Sequence, residues 1–187
     1  HPFLPVDPAY PDARIKHMIA DSRSSCVICH TPEDKFRETT ARVIGLNDIR
    51  RDQHGGQTGR DLGTHLLESI YTIYTSGTTG QPKGVPIHPS ALLNFITVQG
   101  ADLGVTPASR FASISSISFD MSIWEIFLAL GHGARITMFG RDVIVDGRRL
   151  GKELNNHRIT HVLVTPSMLS ILPDGAYDHL QCVVSAG

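Results

Sequence analysis

The chain has 187 residues, 41% of them hydrophobic and 19% charged, enough for a packed core and inconsistent with a disordered polymer. With 17 Lys and Arg against 18 Asp and Glu, the net charge is 17 − 18 = −1. Nothing in that balance attracts nucleic acid or an anionic membrane, and no apolar run reaches the roughly 18 residues that span a bilayer. Any phosphate site must therefore come from local backbone N–H groups and one or two cations.

In chain order, residues 1–12 hold four prolines and read as an extended segment, with Asp12 placed to cap a helix over 13–21 whose apolar face is Ile15, Met18 and Ile19. This start has no basic stretch followed by a long apolar one, so it does not read as a signal peptide. It also lacks an initiating Met, which suggests a chain cut from something longer. Cys26–Cys29 reads as a short buried strand, and residues 33–65 as a polar surface excursion. Ser69–Tyr74 is β-branched and aromatic, a strand running into a Gly-rich segment. Pro89 suits the entry to a helix over 90–99. Arg110–Ser115 follows as a strand, and Met121–Leu130 as an apolar helix opened by Asp120 and ended by Gly131. Three further units are expected: strand 134–139 with helix 148–156, strand 161–164 with helix 167–172, and strand 181–184. Strands alternating with helices at this spacing give an α/β fold, a mostly parallel sheet covered by helices on both faces.

The segment Tyr74-Thr75-Ser76-Gly77-Thr78-Thr79-Gly80-Gln81-Pro82-Lys83-Gly84 holds the densest chemistry. Glycines let a backbone approach a phosphate without a Cβ in the way, hydroxyls of Thr75, Ser76, Thr78 and Thr79 can donate to phosphate oxygens, and Lys83 adds a mobile cation. The ordinary alternative is a surface turn rich in Ser, Thr and Gly; the lysine and the hydroxyl density favour phosphate. The common P-loop is excluded, because that motif needs Gly-x4-Gly-Lys-Ser/Thr, whereas Gly80 lies three residues before Lys83 and Gly84 follows it.

The segment does resemble the phosphate motif of the adenylate-forming (AMP-binding) superfamily, and three further stretches fall in the order of that superfamily's nonribosomal peptide synthetase adenylation domains. They are Leu4-Pro5-Val6-Asp7-Pro8 with Tyr10-Pro11 and Arg14-Ile15; Ser118-Phe119-Asp120 with Ser122 and Trp124-Glu125; and Ile159-Thr160 through Thr165-Pro166-Ser167 with the terminal Val184-Ser185-Ala186-Gly187. One departure is His88-Pro89, where the family has an acidic residue or Ser followed by His. The resemblance implies part of the large N-terminal domain of the adenylate-forming fold. Residues 1–187 would be a partial AMP-binding domain, its C-terminal part and small lid domain absent, and this piece alone is not expected to turn over.

By the same resemblance the parent is an amino-acid-adenylating ligase, cytoplasmic, using ATP and Mg²⁺ and passing its product to phosphopantetheine on a peptidyl carrier domain. Thr75, Ser76, Gly77, Thr78, Thr79, Gly80, Lys83 and Gly84 would hold the nucleotide, with Thr75 and Lys83 catalytic. Asp120 would face the substrate ammonium, since a partly buried cation needs a carboxylate beside it. Capping the helix at Met121 is the alternative job for Asp120, and both can hold. Phe119 would bind substrate beside Asp120, and Met121, Trp124, Leu163, Val184 and Ala186 would line the side-chain pocket, implying a hydrophobic amino acid; core packing is the ordinary reading of these five. An acyl- or aryl-CoA ligase has no ammonium to neutralise, which Asp120 argues against. A non-catalytic nucleotide-binding remnant is the third alternative.

Cys26-x-x-Cys29-His30 matches a haem-attachment spacing, but it sits in a strand-like run, and the scattered histidines show no metal-ligand spacing. No protein-held metal is expected. Three cysteines, an odd number, suit reduced thiols.

Overall fold

The computed structural model describes residues 2–30, 36, 39–47, 68–76, 81–175 and 177–186. They form two compact units, His1–Pro89 and Ser90–Gly187.

The first unit opens with α1 (Asp12–Asp21), whose Ile15, Met18 and Ile19 are buried at the i, i+3, i+4 spacing of one helix face. Asp12 does not cap it. Pro11 holds the cap position, its carbonyl accepting from Arg14 and Ile15, and Asp12 lies within the first turn. β1 (Cys26–Cys29) has the expected boundaries and pairs in parallel with β2 (Arg42–Gly45). It is not a buried strand: Cys26 is exposed and Ile28 is 63% exposed. Of β1, Val27 and Cys29 pack against the cluster of Ile15, Ile19, Phe36 and Ala41, together with Val6, Tyr10 and Val43. That cluster also corrects the reading of 33–65 as surface excursion; where described, this stretch supplies a strand and two core side chains. Cys26 and Cys29 lie three apart on a strand and so point to opposite faces.

β3 (Tyr71–Thr75) and β4 (Lys83–Ile87) form an antiparallel pair, with Tyr74 opposite Gly84 and Thr75 opposite Lys83. The expectation of a strand leading through a loop to a helix therefore missed a strand. Phe3 lies against the other edge of β3, bridging in parallel to Tyr71, with Phe3 N donating to Ile70 O and Thr72 N to Phe3 O.

The second unit contains α2 (Pro89–Asp102), β5 (Arg110–Ser113), α3 (Asp120–Gly131), β6 (Arg135–Met138), α4 (Arg141–Ile144), α5 (Gly147–Asn156), β7 (His161–Val164), α6 (Pro166–Ile171) and β8 (Cys182–Ser185). Its sheet runs β6-β5-β7-β8, all parallel. Alternate residues of β5 and β7 enter different cores. Phe111 and Leu163 meet Trp124, Leu128 and Ala129 of α3, while Ala112, Val162 and Val164 meet Leu150 and Leu154 of α5. Helices thus cover both faces, as the alternation of elements requires. Gly131 is the last residue of α3 and does not stop it. Gly133 does, adopting φ +67° while Gly133 N donates to Leu130 O and Ala134 N to Ala129 O. Among the described residues no helix is long and apolar enough to cross a membrane.

Candidate active-site residues

In an open parallel sheet, ligands collect beyond the carboxyl ends of the strands, at the point where the strand order reverses. In β6-β5-β7-β8 that point lies between β5 and β7, because the chain leaves β5 for β6 on one side and returns to β7 on the other. The segment leaving β5 runs through Ile114–Phe119 to Asp120, the first residue of α3. Phe119 has the cap position of α3, extended at φ −101° and ψ 148°, with no side-chain cap, so Asp120 is not the cap residue. Asp120 is exposed, and among the described residues its carboxylate has no hydrogen-bond or ion-pair partner. The position suits a negative charge, since the first helical turn presents unpaired backbone N–H groups.

Of the residues expected to form a side-chain pocket, the structure brings four together. Trp124 (6% exposed) and Leu163 (3%) belong to one core cluster, and Met121 and Val184 pack against it. Phe111 anchors this group, its ring centroid 5.3 Å from that of Trp124. Phe119, 55% exposed, and Ala186, also exposed, stand apart from that cluster. Ala186 N continues the β7–β8 ladder by donating to Val164 O at 3.1 Å.

In the first unit, the Gly/Ser/Thr/Lys segment is anchored at its two stems. Thr75 and Lys83 are direct cross-strand partners, so their side chains share one face, and both are exposed. Tyr74 and Gly84 share the opposite face. A Cβ at Gly84 would lie 3.0 Å from the Tyr74 ring, so the glycine makes room for the aromatic ring across the pair. Ser76 is exposed; Gly77, Thr78, Thr79 and Gly80 lie outside the described residues.

Sequence reasoning gave no role to the residues that hold these stems. The Tyr74 hydroxyl donates to Asp21 Oδ2 at 2.6 Å and lies 3.3 Å from Met18 O. Burial, then the hydrogen bond and charge of Asp21, push its pKa well above the usual phenol value. His17 Nε2 donates to Pro82 O at 3.2 Å, next to Lys83, and its ring stands edge-on to Tyr74. One face of α1 therefore grips both sides of the hairpin. The only sequence signal was the position of His17, one residue before the buried Met18.

Glu125 has no role in the sequence reading beyond its place in the resemblance. It is fully buried on α3, and its carboxylate accepts from Ile114 N, Ser115 N and Ser115 Oγ. Burial raises its pKa, while the Ser and backbone donors pull the other way. A single acidic residue inside the apolar run Met121–Leu130 was the available signal.

A parallel sheet covered by helices on both faces in one unit, and a β-hairpin with Thr75 opposite Lys83 in the other, define an α/β protein. The AMP-binding enzyme family matches residues 1–187, and the chain belongs to that family of adenylate-forming ligases. It is 34% identical over 186 residues to tyrocidine synthase 2 of Brevibacillus parabrevis, covering 99% of this chain and 5% of that protein. It is 33% identical over 188 residues to bacitracin synthase 3 of Bacillus licheniformis, covering 99% of this chain and 3% of that protein. The chain thus spans a small fraction of the length of the curated relatives it matches. Among solved structures, O-succinylbenzoate coenzyme A synthetase of Bacillus subtilis in complex with AMP superposes with a TM-score of 0.81 at 19% identity, covering 98% of this chain and 48% of that one. A four-domain nonribosomal peptide synthetase bound to AMP and glycine gives 0.76 at 25% identity, with 97% and 14% covered. The fold is that of the adenylate-forming enzymes.

Proposed function

We propose that the protein activates an α-amino acid with a hydrophobic side chain as its aminoacyl adenylate and loads it onto the phosphopantetheine of a peptidyl carrier domain. The observation that carries this reading is Asp120, an exposed carboxylate without a partner among the described residues, at the start of α3 beyond β5. A fatty or aryl acid offers no cation for it; an amino acid does. Kinship with peptide synthetases supports the same class. The apolar cluster of Met121, Trp124, Leu163 and Val184 supports a hydrophobic side chain.

In this mechanism an oxygen of the amino-acid carboxylate attacks the α-phosphorus of ATP. The bond from that phosphorus to the bridging oxygen breaks, and pyrophosphate leaves with the electron pair. Positioning and charge neutralisation supply most of the catalysis. Thr75 and Ser76, with Gly77, Thr78, Thr79, Gly80 and Gly84, hold the phosphates through hydroxyls and backbone N–H groups, and Lys83 balances charge on the departing pyrophosphate. The carrier thiol then attacks the acyl carbon and releases AMP. Mg²⁺ belongs to this reading as a counter-ion to the phosphates. Among the described residues no group of three or more His, Cys, Asp or Glu side chains is gathered to hold a metal, and no step is assigned to one.

The test is ATP–pyrophosphate exchange by the protein at its full encoded length, with the twenty proteinogenic amino acids against a set of fatty and aryl acids. Exchange that depends on a hydrophobic amino acid is expected. Exchange driven only by fatty or aryl acids, or by none of them, would sink the reading.

A further inference from the structure

The turn that delivers Asp120 is held by two buried side chains of the helix it opens. Glu125 is 0% exposed and Ser122 is 1% exposed. Three residues apart on α3, they lie on the same side of the helix. Each Glu125 oxygen lies 3.2 Å from Ile114 N, and the two lie 3.0 and 3.3 Å from Ser115 N. Ser115 Oγ donates to Oε1 at 2.7 Å. Ser122 Oγ lies 2.6 Å from Phe119 O and 3.0 Å from Ile117 O. Glu125 thus fixes the beginning of the Ile114–Phe119 turn and Ser122 its end, directly before Asp120.

Packing alone does not account for Glu125. An apolar side chain of similar volume would fill the site without burying a carboxylate, usually at equal or better stability. Among the described residues no basic side chain pairs with it. What a carboxylate does here that an apolar group cannot is accept several convergent donors at once. The backbone N–H groups of Ile114 and Ser115, the two residues just past the end of β5, are both directed at Glu125.

We infer that Glu125 is a positioning residue for the amino-acid substrate: by clamping the Ile114–Phe119 turn it sets where the Asp120 carboxylate stands to receive the substrate ammonium. The inference rests on the proposed role of Asp120. Glu125 touches no substrate. Its effect is confined to the turn, so it acts on amino-acid affinity and leaves the hold on ATP unchanged.

The experiment is Glu125→Gln in the protein at its full encoded length. An amide of the same shape offers one good acceptor oxygen and turns an NH₂ donor toward the donors of Ile114 and Ser115, so the clamp loses about half its bonds. Hydrogen-exchange mass spectrometry of peptides spanning 113–119 is expected to show about tenfold faster exchange, the open turn costing roughly the net worth of a charged hydrogen bond. In ATP–pyrophosphate exchange with the amino acid that wild type uses best, KM for the amino acid is expected to rise by about tenfold and KM for ATP to stay within about twofold.

Wild-type behaviour in both measurements overturns the inference. So does a joint rise in both KM values, or faster exchange at 113–119 with an unmoved amino-acid KM, since each describes a merely structural carboxylate. Should Glu125→Gln not fold, Ser115→Ala removes one donor and leaves the carboxylate. It must then shift the amino-acid KM alone, by a few-fold, or the inference fails. Absence of amino-acid-dependent exchange by wild type is a separate result: it removes the functional reading itself, whatever the variants do.

Discussion

The Tyr74 hydroxyl donates to Asp21 Oδ2 across 2.6 Å, tying a buried residue of β3 to the last residue of α1. Since Tyr74 faces Gly84 across the hairpin, this bond fixes the base on which Thr75 and Lys83 stand. Removing it with Tyr74→Phe leaves the ring packing in place and deletes one hydrogen bond to a charged acceptor. Such bonds are worth about 1.5–3 kcal/mol, and the exposure of Asp21 to water puts this one near the lower figure. We expect a loss of about 1.5 kcal/mol in urea unfolding, and a loss below about 0.3 kcal/mol would show that the bond does not hold the stem.

The same contact makes stability depend on alkaline pH. Burial first, and Asp21 second, raise the Tyr74 pKa in the folded state above its unfolded value of about 10. The folded state then binds the proton more tightly. The stabilisation is fully present below about pH 10 and is lost as pH rises beyond it, at up to about 1.4 kcal/mol per pH unit from this one group. Urea midpoints between about pH 9 and 11 should fall more steeply for wild type than for Tyr74→Phe. Parallel curves would contradict the assignment.

Lys83 is exposed in β4, directly opposite Thr75, and its ammonium is assigned to the phosphates. Lys83→Ala should therefore leave the unfolding midpoint unchanged while lowering kcat for ATP–pyrophosphate exchange on the order of 10²-fold, the usual loss when one preorganised charge-stabilising group is removed. Lys83→Arg keeps the charge but replaces a compact ammonium with a broad planar fork, so partial activity is expected. Full activity of Lys83→Ala would remove the cation from the mechanism.

How far the chain could be read in advance followed local chemistry. β7 stood out because Val162–Val164 is an apolar, largely β-branched run, and β1 because Cys26–Cys29 is bounded by polar residues. β4 escaped because Gly84 and Pro86 both disfavour strands. It forms because Tyr74 covers the glycine, and because among the described residues β4 has a neighbour on one side only, where a proline is tolerated. β2 escaped because four residues in a polar stretch carry no periodic signal, and its pairing with β1 is a long-range event. The candidate site divides in the same way. Asp120 and the pair Thr75 and Lys83, which the fold sets opposite each other, stood out in the sequence as residue types. Glu125 and His17 did not, because their roles depend on which backbone groups the fold turns toward them.

Asp120→Asn tests the ammonium assignment. The amide keeps the shape and removes the charge, so a bound ammonium would lose its counter-charge at a cost of about 2–3 kcal/mol, or on the order of 10²-fold in kcat/KM for the amino acid. Because Asp120 is exposed and makes no side-chain cap, its only structural contribution is charge in the first turn, and stability should fall by no more than about 1 kcal/mol. An unchanged amino-acid kcat/KM would return Asp120 to a helix-terminal role.

Asp146 gives a prediction for the other face of the sheet. Its Oδ1 accepts from Arg148 N at 3.0 Å and Arg149 N at 3.1 Å, satisfying two N–H groups that the start of α5 would otherwise leave open. α5 carries Leu150 and Leu154, both essentially fully buried against Ala112, Val162 and Val164, so fraying its first turn reaches the core. Asp146→Ala should cost about 1 kcal/mol, and Asp146→Asn much less, because Asn is nearly as good at this position. Urea unfolding of the two variants separates capping from charge. An equal loss in both would assign the contribution to electrostatics, including the adjacent Arg149–Asp142 ion pair, whereas the cap geometry requires that Asn rescue most of it.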